Sequence, residues 1–365
     1  MTMPIPGLAS GFTYTGLPMR VVFGTGTLAG IRAEAERLAI HRALVLTTPA
    51  QTAHGRAVTE LLGESAVGLF SGAVMHTPVE VTRAALDLTG TLTADGIVAI
   101  GGGSTIGLGK AIAVRTGLPQ IAIPTTYAGS EMTPILGETE GGQKTTRSSP
   151  DILPETVIYD VDLTLGLPAA LSATSGINAI AHAAEALYAR DANPITSIIA
   201  EQAIAALARA LPAIASDPGD RDARRGALYG AWLCGICLGA VGMALHHKLC
   251  HVLGGSFALP HAETHAVLLP HALAYNAAAA PEAMGRIARA VRISEISGAT
   301  AATALYDLAG AVGAPRSLAA LGMPASGLDR AADLAVANSY WNPRPLERNA
   351  IRDLLERAFT GTPPA

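Results

Sequence analysis

Over the first 160 positions, short runs of β-branched and other apolar residues alternate with segments whose apolar residues recur at helical spacing. The runs predict strands at 20–23, 43–47, 66–70, 96–100, 120–123 and 156–159, and the spacing predicts helices over 28–38 and 79–88. Strand and helix in alternation predict a mostly parallel sheet covered on both faces. Near Asp160 the texture changes. From Asp162 onward the pattern is helical and rich in Ala and Leu, with breaks expected at Pro168, Pro212, Pro218, Gly254, Pro260, Pro270, Pro281 and Pro315. The chain therefore reads as an α/β domain over 1–161 and an all-helical domain over 162–365, with the reactive pocket expected in the cleft between them.

In parallel sheets, ligands bind beyond the carboxyl ends of the strands. After Ile100 come Gly101, Gly102, Gly103 and Ser104, leading into a helical TIGLGKAIAVR. Successive glycines let backbone approach an anion, and the helix start supplies free N–H groups and a positive dipole end, so a pyrophosphate fits there. After Ile123, Thr125 and Thr126 offer hydroxyls that would hold a ribose or phosphate, or cap the next helix. Gly24-Thr25-Gly26 also follows a strand but fails the GxGxxG pattern, because position 29 is Ala. The second strand ends in Thr47-Thr48, where sites selective for NAD place a carboxylate on the ribose. With Thr48 there instead, both NADH and NADPH are expected to bind. Lys144 is a further cofactor-binding candidate.

Composition narrows the class. Half of the 365 residues are apolar, 15% are charged and the formal net charge is -4. With no basic run, nucleic acid and anionic membrane surfaces are not expected partners. Cys234, Cys237 and Cys250 cannot all pair within one chain, and no secretory apolar region is visible, which fits a cytoplasmic protein. The uncharged stretch 226–245 is long enough to span a bilayer, but its five glycines and its polar end at His246-His247-Lys248 read as a core helix.

The densest chemistry lies at 245–271, LHHKLCHVLGGSFALPHAETHAVLLPH, which holds six of the ten histidines: His246, His247, His251, His261, His265 and His271. His247 and His251 are i and i+4, so their rings share a helix face. Gly254-Gly255 is expected to end that helix and let His261 return toward it. A single histidine in an apolar helix is usually a hydrogen-bonded core residue. Crowding of this kind indicates a shared pocket.

These segments resemble the iron-containing alcohol dehydrogenase superfamily, over nearly the whole chain. GGGSTIGLGK is similar to its GGGSxxDxxK motif, PTTYAGSEMT to its second cofactor loop and NPRP at 342–345 to a segment near its C-terminus. The resemblance implies a nucleotide-binding α/β domain followed by a helical metal domain. Its metal ligands, an Asp and a His at i and i+4 followed by two histidines, correspond here to Asn178, His182, His247 and His261. An amide at 178 leaves a dication without charge compensation, so little or no Fe2+ or Zn2+ binding is expected there. Gly107 likewise stands where the family usually has Asp.

The resemblance further implies reduction of a C=C bond conjugated to a ketone, in a substrate carrying two carboxylates, a reaction that needs no metal to polarise a carbonyl. Hydride adds at the far alkene carbon, and hydrogen-bond donors stabilise the enolate. His251, with one of His182, His247 and His261, is expected to supply those donors and the proton. Asn178, His246, Lys248 and Arg344 are the candidate substrate contacts. The alternatives are a metal-dependent alcohol or glycerol dehydrogenase and a metal-dependent lyase of the dehydroquinate synthase type. A symmetric dimer is the base-rate expectation.

Overall fold

The computed structural model describes residues 11–141, 143–291, 300–337 and 340–365, with the Lys144 side chain left out. The chain divides into two compact units, Leu17–Leu167 and Pro168–Ala365, the described residues before Leu17 grouping with the second. The change of texture at Asp160 thus falls a few residues before the division between units.

In the first unit β1 (Arg20–Gly24), β2 (Ala43–Leu46), β3 (Ala66–Phe70), β4 (Gly96–Gly101), β5 (Gln120–Pro124) and β8 (Thr156–Asp160) form one sheet, and every pairing in it is parallel. Its order, β1-β8-β5-β4-β2-β3, reverses direction between β4 and β2. That reversal is the topological switch point, where strand ends diverge and leave a crevice. The helices α1 (Ile31–Arg37), α2 (Thr52–Leu62), α3 (Val79–Thr91) and α4 (Gly103–Thr116) join the strands. Two apolar clusters form the core, one around Ile31, Val45, Val58, Ile100 and Ile123, the other around Leu44, Ala85, Ile97 and Ile112.

A hairpin of β6 (Ile135–Glu140) and β7 (Gln143–Ser148) lies outside the predicted strands. Its sequence, ILGETE and QKTTRS, has no apolar alternation to announce it. Charge pairing supports it instead: the buried Glu138 carboxylate accepts from Arg115 at 2.9 Å and Arg147 at 3.2 Å.

The second unit is helical: α5 (Ala169–Ala186), α6 (Pro194–Ser216), α7 (Arg221–Ala240), α8 (Leu245–Phe257), α9 (His261–Asn276), α10 (Pro281–Val291), α11 (Ala301–Ala311), α12 (Leu328–Ala337) and α13 (Arg348–Thr360). Three of the expected breaks are not breaks. Pro212 lies inside α6 and Pro270 inside α9, where burial of the surrounding turns outweighs one lost backbone bond. Gly254 and Gly255 lie inside α8, which ends instead where Ala258 enters the left-handed region (φ 54°), just before Pro260. Among the described residues α6 is long and apolar enough to cross a membrane, and half of its apolar stretch is buried in the protein. The uncharged 226–245 stretch is not one helix: it breaks after Ala240, and α7 and α8 meet at 94°. Cys234 and Cys237 are buried on α7 with their thiols held above the usual range by burial, Cys237 at about 12, which suits core residues and not a redox pair.

Lys110, fully buried on α4, ties that helix to the loop after β5 by donating to the Ser130 carbonyl, to Thr133 Oγ1 at 2.9 Å and to the Ile135 carbonyl at 3.0 Å. Burial lowers its pKa from 10.5 to about 7, against an opposing pull from Glu131. Between those two values the unfolded chain holds a proton that the folded chain lacks, so stability rises with pH across that window. Measured as thermal midpoints from pH 6.5 to 9.5, the native chain should gain on Lys110→Met as pH rises. A constant difference would remove the assignment.

Candidate active site

The loop after β4 is shaped by steric necessity. Gly101 sits at φ 154°, and a Cβ there would lie 2.4 Å from Thr105 Oγ1. No other residue fits without displacing the first turn of α4. The half-buried Thr126 covers Gly102, 3.1 Å from where its Cβ would be. Thr125 continues from β5, its amide donating to the Gly101 carbonyl at 3.0 Å and its hydroxyl accepting from Gln51 Nε2 at 2.9 Å. The structure thus brings Gly101, Gly102, Gly103, Ser104, Thr125 and Thr126 together at adjacent strand ends, with the Gly103 and Ser104 amides ahead of the first bonds of α4, which Thr105 and Ile106 make to the Gly102 carbonyl.

Thr48 is half-buried beyond β2, on the other side of the switch point, and no carboxylate occurs from Thr47 to Thr59. Lys144 pairs with Thr139 in the hairpin, and its side chain lies outside the described residues. The rejected loop at Gly24 is closed by Asp160, whose carboxylate accepts the Gly26 and Leu28 amides at 2.9 and 2.8 Å. Gly107, on α4, makes room for Thr77: a Cβ would stand 2.5 Å from Thr77 Oγ1, so an aspartate there would require Thr77 to move.

In the helical unit five histidines form one continuous cluster: the ring of His247 lies 5.0 Å from that of His182, 5.1 Å from His246 and 5.0 Å from His265, and His265 lies 4.4 Å from His261. On α5, Asn178 and His182 are one turn apart and both buried. The His182 ring stacks on that of His247 with centroids 5.0 Å apart. His251 is one turn further along α8 and exposed, as is His261 at the start of α9. Burial, with His247 and His261 adding to it, holds the His182 pKa well below 6.5, so this ring is neutral near neutral pH.

Glu185, which the pattern analysis passed over, organises this group. It is the only charged residue between Asp162 and Arg190, and its side chain is wholly buried. Its Oε2 accepts from the Ala244 amide at 2.8 Å and pairs with His247 Nδ1 at 2.7 Å, while its Oε1 accepts the His246 amide at 2.8 Å. Asn342, from the NPRP segment, accepts the Leu245 amide at 3.3 Å and is itself held by a paired amide contact with buried Asn276. Asp191 accepts the Gly242 amide at 3.0 Å. The bend into α8 is therefore built by acceptors satisfying helix-start amides, and an anion at a helix N-terminus is favourably placed. With Nδ1 committed to Glu185, Nε2 of His247 remains, buried and without a partner.

Two expected substrate contacts, His246 and Arg344, are placed elsewhere, and Asn178 stays beside His182. His246 is fully buried, its Nε2 3.0 Å from His265 Nδ1, so it cannot anchor a carboxylate. Arg344 lies with its guanidinium 4.1 Å above the Tyr275 ring and donates to the Tyr275 carbonyl at 3.2 Å, a bracing role. Asn178 is 4% exposed and its Oδ1 has no partner. Lys248 fits better: half-exposed, without a carboxylate partner among the described residues, it sits 5.6 Å from the Tyr340 ring. His271 is a core residue whose pKa burial lowers to about 4.

The α/β unit and this histidine-bearing helical unit define an oxidoreductase of the iron-containing alcohol dehydrogenase family. The chain belongs to that family: residues 18–161 match "Iron-containing alcohol dehydrogenase" and residues 172–359 match "Fe-containing alcohol dehydrogenase family, C-terminal". Within the family it is 59% identical to maleylacetate reductase of Rhizobium sp. (strain MTP-10005), over 97% of this chain and 99% of the relative, and 56% identical to that of Burkholderia cepacia, over 98% and 100%. The crystal structure of maleylacetate reductase from Agrobacterium tumefaciens superposes with a TM-score of 0.93 at 58% identity, over 97% of this chain and 99% of that one.

The family name implies iron, and the residues at its ligand positions do not fit it. Asn178, His182, His247 and His261 supply no negative charge, and the neighbouring Glu185 carboxylate is held by other donors. Among the described residues, the His, Cys, Asp and Glu donors that converge within 4.8 Å are those of His246, Cys250 and His265.

Glu185→Gln turns an NH2 group toward one of the three donors and should lower the unfolding free energy by about 1–3 kcal/mol. Glu185→Ala, which leaves the Ala244 and His246 amides and His247 Nδ1 buried without that acceptor and also removes the longer contact from the Tyr188 hydroxyl at 3.5 Å, should cost about 3–5 kcal/mol. Denaturant titration ranks the two, and equal or negligible losses would exclude this role.

Proposed function

We propose that the chain reduces maleylacetate to 3-oxoadipate, taking hydride from NADH or NADPH, with no metal at the family's ligand positions. The observation that carries this reading is the 59% identity to a maleylacetate reductase over 97% of the chain. The nucleotide is assigned to Gly101, Gly102, Gly103, Ser104, Thr125 and Thr126, with Thr48 near the ribose. The absence of a carboxylate beyond β2 supports use of both forms.

Hydride from the dihydronicotinamide forms a C–H bond at the alkene carbon far from the ketone. The alkene π electrons move toward the ketone, giving an enolate, and a proton then adds to the carbon beside it. An enolate oxygen requires hydrogen-bond donors, which imidazoles provide. His247, its ring oriented through Nδ1 by Glu185, is assigned to the enolate oxygen through Nε2. His251 is exposed one turn away and is assigned the proton for carbon, with the neutral His182 and His261 completing the donors. Lys248 is the assigned carboxylate partner on the substrate. The reading extends to a cytoplasmic homodimer acting in the breakdown of aromatic compounds, supported by three free thiols and by the base rate for symmetric assembly.

Following NADH absorbance with maleylacetate tests the reaction. Loss of absorbance at the same rate with and without EDTA is expected, and turnover that requires added Fe2+ would refute the metal-free assignment. His251→Ala should lower kcat by roughly 100-fold or more. Turnover near that of the native chain would transfer the proton to another residue.

A further inference from the structure

The histidine cluster contains a second constellation that the reduction does not use. His246 and Cys250 are i and i+4 on α8, and His265 faces them from α9. His246 Nε2 lies 3.0 Å from His265 Nδ1 and 3.7 Å from Cys250 Sγ, and the three donor atoms fall within 4.8 Å of one another. His246 and His265 are fully buried and Cys250 is 2% exposed, with Leu245, Leu249, Leu253 and Leu268 in the same apolar core. Two imidazoles and a thiol in such a core are weakly compensated by one hydrogen bond between them. We propose that His246, Cys250 and His265 form a binding site for a soft or borderline metal ion of the zinc type, fastening α8 to α9.

The donor chemistry separates this site from the family's ligand positions. Thiolate and imidazole suit Zn2+, and their separations approach those between ligands around a tetrahedral ion with Zn–N and Zn–S bonds of about 2.0 and 2.3 Å. The thiolate also supplies the negative charge that Asn178 does not. A metal bound here would hold the helices that carry His247, His251 and His261 and would take no part in the reaction. Metal content and metal-independent turnover are then compatible, and the two readings fail separately.

Co2+ is a suitable probe, since a thiolate ligand gives it a near-ultraviolet charge-transfer band. The full chain, unfolded with chelator and refolded with Co2+, should take up one ion with that band, and excess Zn2+ should abolish it. Cys250→Ser should lose the band, and His265→Asn should weaken Co2+ binding ~tenfold or more. The band should persist in His182→Asn, which alters the family's ligand positions, and in Cys234→Ser with Cys237→Ser. Absence of the band in the native chain, its survival in Cys250→Ser, or its loss in His182→Asn would overturn the site. If Cys250→Ser does not fold, as judged by circular dichroism, His265→Asn decides: unaltered cobalt affinity there is equally fatal.

Discussion

Glu185 is a full negative charge in a helix of otherwise uncharged residues, and the helical unit is arranged around satisfying it. An isolated buried carboxylate is untenable, so its presence demands donors, and the donors it finds are the first amides of α8 and the ring of His247. One side chain thereby fixes three things. It ends the run that would otherwise continue α7, it sets where α8 starts, and it chooses which nitrogen of His247 faces away from it. Asn342 and Asp191 complete the corner from two other segments, which explains why an Asn more than ninety residues downstream belongs to the same local structure.

A comparable economy of acceptors governs the α/β unit. Two loops following strands have the glycines to receive a phosphate, the one after β1 and the one after β4. Asp160, at the end of β8 beside β1, accepts the amides of the first and so closes it to an anion. The second is left open at the switch point, where β4 and β2 send their chains in opposite directions. The choice between two similar sequences is made by a residue over 130 positions away.

This distinction accounts for what could be read from the sequence. All six strands of the parallel sheet announced themselves: the four central ones, buried throughout, need continuous apolar runs, and the edge strands β1 and β3, mostly half-buried, still carry VVF and AVGLF. The β6–β7 hairpin did not, since its stability rests on Glu138 gathering two arginines and leaves no periodic trace. The pairing of His247 with His251 followed from helical spacing, and that of Asn178 with His182 from the family resemblance. The packing of His246 and His265 against that group did not, because it depends on how α8 and α9 pack. Pro212, Pro270 and Gly254 misled for the same reason: local preference is worth a few kcal/mol at most, and a buried helix overrides it. Glu185 had one visible signal, a lone acid in an apolar helix three residues after a ligand-position histidine. Such a residue needs a buried partner, and the partner was already in view.

The place of the negative charge decides what chemistry the histidines can perform. A carboxylate at position 178 would offer its oxygen, alongside the imidazole lone pairs, to a shared cation, and the histidines would act as ligands. At position 185 the carboxylate meets His247 at Nδ1, on the far side of the ring, so it fixes the orientation of that ring and leaves Nε2 facing away from it. Under the proposed reading the carboxylate positions an imidazole and ligates nothing, and a reaction whose transition state places charge on an enolate oxygen is the kind that oriented side chains can assist.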